Sequence, residues 1–191
     1  LARIKLARGE FEAAKQNIHH GLKIAAKMGR ESPHYAWFAA LEAQLHLQQG
    51  SLVQPIRWAT KMGYSTQDTP HHWLDYPYFT YVRLLLAQER FQEAQILLNT
   101  MITTAQKGDR NRKVITCQLL LARTFLLLNK RSQALTLLAQ AVQIAAPENY
   151  RRAFLVEGRP IADLLPEVRA TDPAFVDALL VDFGPTESSQ S

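Results

Sequence analysis

The sequence lacks most of the features that mark secreted proteins and membrane proteins. Its 191 residues include one cysteine, Cys117, and a single thiol cannot form an internal disulfide, which fits a reducing compartment. No stretch offers the roughly 18 uninterrupted apolar residues that a membrane-spanning helix needs. The N-terminus has no short apolar core with a cleavage site, as a signal peptide would. We therefore expect a cytoplasmic protein with no part in a membrane.

Motifs for catalysis, nucleotide binding and metal binding are also missing. The sequence contains neither a Gly-x-x-x-x-Gly-Lys-Ser/Thr phosphate loop nor a Gly-x-Ser-x-Gly nucleophile elbow. Its histidine pairs, His19–His20 and His71–His72, are adjacent, whereas a helical zinc site needs histidines at positions i and i+4. Acidic residues are scattered, with no sign of a paired acid and base. We predict no catalytic residue, no metal and no cofactor in this chain, and an all-helical enzyme is the weakest alternative.

Long runs of one charge are missing as well. The 22 Lys and Arg residues are mixed with 17 Asp and Glu residues, which gives a formal net charge of +5 without a basic tail. A nucleic-acid-binding arm would concentrate its positive charge in one block. Glycine and proline are few, with eight and nine residues, so a disordered chain is not expected.

What the sequence does contain is a repeat of about 40 residues. Four short turns have similar surroundings, and they read Arg-Gly-Glu-Phe, Gln-Gly-Ser-Leu, Gln-Glu-Arg-Phe and Leu-Asn-Lys-Arg. Their last residues, at positions 11, 52, 91 and 131, are separated by 41, 39 and 40 residues. A fixed period of this length is typical of helical repeat proteins. We expect the chain to reverse direction near residues 9, 50, 89 and 129.

Apolar residues recur in register with these turns, and most of them are small. Positions are counted from the last residue of each turn. Three residues after it come Ala14, Pro55, Ala94 and Ala134, and seven residues after it come Ile18, Ala59, Leu98 and Leu138. Nine residues before it come Ala2, Ala43, Val82 and Ala122. Small side chains let two helices cross closely, and larger ones fill the groove beside the crossing. No long period-two pattern appears, so no sheet is expected. The predicted fold is all-α, a tetratricopeptide-like superhelix of antiparallel helix pairs.

The predicted boundaries follow from the turns and from helix-ending residues. Repeats are expected at about 1–29, 34–63, 74–107 and 111–146, followed by capping helices over 147–183 and a linker or tail over 184–191. Pro160 suits the start of one short capping helix, and Asp172 with Pro173 suits the start of another. We expect nine or ten helices. Residues 64–75 are predicted to form a loop, either a functional loop or a simple surface insertion.

One segment resembles a known family. The run Tyr-Arg-Arg-x-Phe-Leu-x-Glu-Gly-x-Pro-x-x-x-Leu-Leu, at residues 150–165, is similar to the end of the repeat region in large ATP-dependent LuxR-family transcriptional activators of the MalT-like type. Residues 81–88, 91–94 and the 58–75 connection resemble matching stretches of that family. The resemblance covers nearly the whole chain, and the 150–165 run is its more specific part.

The resemblance implies an effector-sensing and protein-interaction domain. In such activators ATP binds to an N-terminal module and DNA binds to a C-terminal helix-turn-helix module, and neither is found in this sequence. The implied partner is a small-molecule inducer or a regulatory protein, and self-association is left open. The alternative is a stand-alone tetratricopeptide adaptor that binds a partner protein or peptide.

A candidate binding face follows from the register. In tetratricopeptide stacks the first helix of each pair lines the concave face, and the position eight residues before each turn residue is filled by Arg3, Gln44, Arg83 and Arg123. Guanidinium groups suit carboxylate or phosphate partners, so these residues are either anchors for an anionic ligand or acidic peptide, or arginines that are solvated or locally paired.

Three aromatic residues fall on the same predicted face, and they are Trp37, Tyr76 and Phe79. They are either binding residues or core residues, while Trp58 and Trp73 flank the 64–75 loop. We expect Arg83→Ala and Arg123→Ala to weaken effector binding with little effect on stability.

Overall fold

The fold is entirely helical over the part of the chain that the computed structural model describes, which is residues 1–7 and 9–184 without the side chain of Ala7. Those residues form eleven α-helices, three short 3-10 helices and no strand, which confirms the predicted all-α fold. The number of α-helices exceeds the nine or ten expected because the C-terminal region is divided into several short helices. Most of the predicted tail, residues 185–191, lies outside the described residues.

Helices account for most of the described residues. The α-helices are α1 (Ala2–Ala7), α2 (Phe11–Lys27), α3 (Pro33–Gln48), α4 (Val53–Met62), α5 (Asp75–Ala87), α6 (Phe91–Gln106), α7 (Asn111–Leu127), α8 (Arg131–Ala145), α9 (Arg152–Glu157), α10 (Arg159–Ala162) and α11 (Pro173–Phe183). The 3-10 helices are His72–Leu74, Ala146–Glu148 and Leu165–Thr171. The chain divides into two compact units, an N-terminal unit of Leu1–Leu97 and a C-terminal unit that begins at Leu98.

The four predicted turns share one backbone conformation. Gly9, Gly50, Glu89 and Asn129 have φ angles of 72°, 76°, 60° and 57°, in the left-handed region. At each turn the amide of the next residue donates to the carbonyl five residues earlier, as from Arg90 to Leu85 at 2.9 Å and from Lys130 to Phe125 at 2.8 Å. This hydrogen bond ends the first helix of a pair and sends the chain back along it.

The repeat positions identified in the sequence are interior positions in every pair. All twelve are buried, and Ala14, Ala94 and Ala134 are 0% exposed. Between α2 and α3 the approach is closer still, since a Cβ atom on Gly21 would lie 2.1 Å from the Phe38 ring. Small side chains therefore set the helix crossings, as the sequence pattern predicts.

In the N-terminal unit the helices form two layers. The first helices of the pairs, α1, α3 and α5, lie side by side, while α2 packs on α1 and α3, and α4 packs on α3 and α5. Part of the core between α1, α2 and α3 consists of Ala2, Leu6, Ala14, Ile18, Leu41 and Leu45. The layer of first helices carries the residues of the candidate site.

In the C-terminal unit the α7–α8 hairpin is covered by the short helices that follow it. The α9 and α10 helices pack on α7, and the 3-10 helix Leu165–Thr171 packs on α8 and α11. Phe154 is fully buried and meets Phe175 edge to face, with 5.6 Å between the ring centroids. The Asp172 carboxylate accepts a hydrogen bond from the Phe175 amide at 2.9 Å and caps α11, as its position before Pro173 predicts.

None of the helices in the described part of the chain combines the length and the apolar character needed to cross a membrane.

Candidate functional site

The candidate site lies on the layer formed by α1, α3 and α5. Trp37 and Gln44 are two helical turns apart on α3, and Tyr76 and Arg83 are two turns apart on α5. Each pair therefore lies along one face of its helix, while α1 contributes Arg3 from the neighbouring position. Six of the seven predicted residues, these five and Phe79 of α5, are thus placed on adjacent first helices of the N-terminal unit.

Aromatic and cation–π contacts join these three helices. The guanidinium carbon of Arg3 lies 5.2 Å from the centroid of the Tyr76 ring. The Trp37 and Tyr76 ring centroids are 5.6 Å apart, with the ring planes tilted by 43°. Both distances are within the range of favourable contact. We call Arg3, Trp37, Tyr76 and Arg83 the Tyr76 cluster.

Both arginines of this cluster act on the Tyr76 hydroxyl. Burial raises the pKa of Tyr76, while the positive charges of Arg83 and Arg3 and the nearby Thr80 lower it. Burial is the largest of these causes, so Tyr76 stays neutral. Arg3 thus lies over the Tyr76 ring, and the positive charges of both arginines, from α1 and α5, act on the pKa of this phenol.

Gln44 and Phe79 have different surroundings. The side-chain oxygen of Gln44 is buried and has no hydrogen-bond donor among the described residues. Such an atom is uncommon, since an unsatisfied buried acceptor costs about 1–3 kcal/mol. Phe79 is only 9% exposed, so it packs in the interior and offers little surface to a ligand. Gln44 is thus a candidate acceptor for a bound molecule, and Phe79 is positioned as a core residue.

Arg123, the seventh predicted residue, belongs to the C-terminal unit and is locally paired. Its guanidinium donates to the Glu157 carboxylate over 2.9 Å, from α7 to the end of α9. Glu157 is 3% exposed, and the Arg123 side chain is 28% exposed. The structure thus gives Arg123 a buried acidic neighbour, and its role as a ligand anchor stays a prediction. In the sequence, the only indication of this ion pair was that Glu157 lies within the 150–165 run that resembles the family.

The 64–75 segment contains residues that the sequence did not single out. The Asp68 carboxylate accepts hydrogen bonds from the Tyr78 hydroxyl at 2.5 Å and from the Ser65 amide at 2.8 Å. Tyr64 lies against Tyr78 and Trp58, with ring centroids 4.8 Å and 5.1 Å away. Burial, followed by the Asp68 contact, raises the pKa of Tyr78. The loop is therefore tied to α5 through Asp68, although its end carries an exposed Trp73 stacked on His71.

The histidine pairs are not assembled into a metal site, since no group of three or more His, Cys, Asp or Glu residues in the described ranges has a metal-binding arrangement. Cys117 is buried in the C-terminal unit.

Comparison with known families agrees with the architecture. The model of the MalT-like TPR region matches residues 1–171, which include all the helix pairs and the whole 150–165 run. The chain therefore belongs to the MalT-like TPR region family, as the sequence resemblance indicates. No curated protein and no solved structure matches the chain.

Proposed function

We propose that this member of the MalT-like TPR region family is the effector-sensing segment of a LuxR-family transcriptional regulator. The observation that carries the proposal is the family match over residues 1–171, which extends beyond the generic repeats into the specific 150–165 run. In this proposal the segment is a cytoplasmic binding scaffold and not an enzyme. ATP and DNA are handled by other modules of the regulator.

The Tyr76 cluster is the proposed contact surface for the effector. Arg3 is exposed beside the Tyr76 ring, and the positive charge of Arg83 lowers the pKa of the same phenol. Guanidinium groups bind carboxylates and phosphates through several hydrogen bonds, and aromatic side chains add flat apolar area. The effector is accordingly an anionic small molecule or an acidic segment of a regulatory protein.

The regulator and the stand-alone adaptor differ in gene organisation. A regulator requires a phosphate-loop module before this segment and a helix-turn-helix module after it in the same reading frame. An adaptor requires neither. The full reading frame therefore separates the two functions before any protein is made.

A binding experiment then tests the surface. Thermal-shift screening of a metabolite collection identifies an effector, because a ligand that binds the folded state raises the melting temperature by mass action. With that effector, Arg3→Ala and Arg83→Ala should each weaken binding by about ten- to a hundredfold, the value of a charge-assisted hydrogen bond. Lys23→Ala, on the exposed face of α2, is the matched control. Unchanged affinity in both arginine variants would show that the effector binds elsewhere and not at the Tyr76 cluster.

A further inference from the structure

A cavity between α3 and α4 lies on the side of α3 that faces away from the Tyr76 cluster. Its volume is about 380 Å³, and Ala39 and His46 contribute to its α3 wall. Each of these residues is about half a helical turn around α3 from Trp37 and Gln44. The small side chain of Ala39 leaves space that a larger side chain would partly occupy. Small-molecule sites have volumes of about 300–1,000 Å³, so the cavity suits a small organic molecule.

The α4 wall of this cavity carries a stripe of positive charge. Arg57 and Lys61 are one helical turn apart, both line the cavity, and both are exposed. Neither takes part in an ion pair with any residue in the described ranges. Among the described residues, Glu42 of α3 is the one carboxylate that lines the cavity. The two free cations therefore outnumber the acidic group across from them.

Trp58, between the two cations in sequence, adds an aromatic wall and a hydrogen-bond donor. Its indole N–H is buried and has no acceptor among the described residues. The Tyr64 ring meets it at 5.1 Å, and the Tyr64 hydroxyl is likewise buried without a partner in the described part of the chain. Buried indole and phenol groups ordinarily find a hydrogen-bond partner. Trp58 lines the cavity and Tyr64 does not, so the indole N–H is the one of these two groups that a polar molecule in the cavity would complete.

We infer that the α3–α4 cavity binds a small organic anion with a flat body, its carboxylate or phosphate held by Arg57 and Lys61 and its ring against Trp58. Charge-assisted hydrogen bonds from these cations supply the attraction for the anion. The indole face supplies the apolar contact for the ring. The cavity and the Tyr76 cluster lie on different faces of α3, so this site is additional to the proposed effector surface.

The indole N–H signals of the ¹⁵N-labelled chain provide the test. The protein has three tryptophans, and Trp58→Phe assigns the Trp58 signal by its disappearance. Phenyl phosphate and benzoate are the probes, while inorganic phosphate and benzyl alcohol each lack one of the two required groups. We expect a saturable shift of the Trp58 signal with the aromatic anions and a much weaker one with either fragment. The tighter of the two aromatic probes identifies the preferred anion.

Matched variants separate this site from general attraction of anions. Arg57→Gln with Lys61→Gln should weaken binding of the aromatic anion by at least about tenfold, because two charge-assisted contacts are lost. Lys23→Gln with Lys27→Gln removes the same charge from exposed positions one turn apart on α2 and should leave binding unchanged. Ala39→Leu keeps the charge and narrows the cavity, so it should weaken binding.

Three outcomes would overturn the inference. The first is the absence of a saturable Trp58 shift, and the second is equal weakening by the α2 control pair. The third is undiminished binding by Ala39→Leu when its melting temperature shows that it is folded. If Ala39→Leu does not fold, the comparison between the two charge-removal pairs decides the question alone.

Discussion

The two units of this protein use the same repeat position in different ways. Arg3 in the N-terminal unit is exposed and lies over the Tyr76 ring. Arg123, at the equivalent position of the C-terminal unit, donates to the buried carboxylate of Glu157. The residue that decides this difference belongs to α9, which is not part of any repeat. A recurring residue type therefore predicts a recurring position, while its role depends on what else packs there.

The two units also differ in how their other polar side chains are paired. Among the described residues, buried side-chain atoms without hydrogen-bond partners occur on Gln44, Trp58 and Tyr64 of the N-terminal unit and on Gln118 of the C-terminal unit. The C-terminal unit instead has ion pairs between its elements, such as Arg151–Asp182 at 2.8 Å and Arg169–Asp177 at 2.6 Å. Exposed pairs of this kind contribute only about 0–1 kcal/mol each. Three of these four residues thus belong to the N-terminal unit, where each buried group without a partner needs an explanation.

The largest expected effect on stability concerns Arg123, whose partner Glu157 is buried. Arg123→Ala removes the guanidinium from a carboxylate that is 3% exposed, so the free energy of unfolding should fall by about 2–4 kcal/mol. This estimate is reduced from the full value of a buried pair because Arg123 is itself 28% exposed. Arg3→Ala removes an exposed cation and should change stability by less than about 1 kcal/mol. Urea unfolding of both variants measures the difference.

A double variant isolates the ion pair. Arg123→Ala combined with Glu157→Gln should be less destabilised than the sum of the single variants, because the second change removes the buried negative charge that Arg123 no longer balances. Equal stability losses in Arg3→Ala and Arg123→Ala would show that the two positions are equivalent after all. For Arg123, a large loss of stability would replace the sequence-based expectation of little change.

A smaller effect is expected at the hydrogen bond that ties the 64–75 loop to α5. Tyr78→Phe removes the donor to Asp68 and should lower the free energy of unfolding by about 1–2 kcal/mol at neutral pH. Burial and Asp68 raise the Tyr78 pKa above its ordinary value of 10.0. Below pH 10 the phenol is neutral in the folded and the unfolded state, so the hydrogen bond contributes its full stabilisation. Above pH 10 the phenol of the unfolded state releases its proton first, so the free energy of unfolding falls.

Urea unfolding across the alkaline range measures this loss. Tyr78→Phe should show a shallower decline of stability with pH than the wild type, and Asp68→Asn provides the variant that removes the other partner. A decline as steep in Tyr78→Phe as in the wild type would assign the alkaline sensitivity to other groups. The hydrogen bond between the loop and α5 would then contribute little to the free energy of unfolding.

The smallest effect compares the turns of the two units. Glu89 and Asn129 both have positive φ angles, 60° and 57°, at equivalent turn positions. Asparagine tolerates this conformation better than glutamate, and glycine adopts it without steric cost. Glu89→Gly should therefore stabilise the protein by about 0–1 kcal/mol, and Asn129→Gly by less. Thermal melts of the two variants check the order, and a loss of stability in Glu89→Gly would show that its side chain contributes contacts that outweigh the strain.

Much of the fold was predictable because, in repeat proteins, turn residues and small residues at fixed spacing indicate where helices end and where they cross. The turns at Gly9 and Gly50 and the buried alanines at positions 14, 94 and 134 follow from spacing alone, since a close helix crossing requires a small side chain wherever it occurs. The Asp172–Pro173 start of α11 is likewise a short-range signal. These features involve residues within a few turns of one another.

The candidate sites were predictable only in part. The register placed Arg3, Trp37, Tyr76 and Arg83 on one face, because equivalent positions of stacked first helices point in the same direction. It did not indicate the α3–α4 cavity, which depends on how Ala39 and Trp58 lie across from each other. It also did not indicate the Asp68–Tyr78 hydrogen bond, since the path of a loop is not encoded in a helical period.

The sequence by itself determined the helix pairs, their turns and the family to which the chain belongs, because each of these is expressed in local spacing and in one short run of residues. Only the tertiary structure decided which polar groups meet. The ion pair of Arg123 with Glu157 joins residues 34 positions apart, and the buried oxygen of Gln44 is left without a donor by the packing around α3. The physical reason is that burial and electrostatic pairing depend on distance in space, which a repeat pattern constrains only for the residues that carry it.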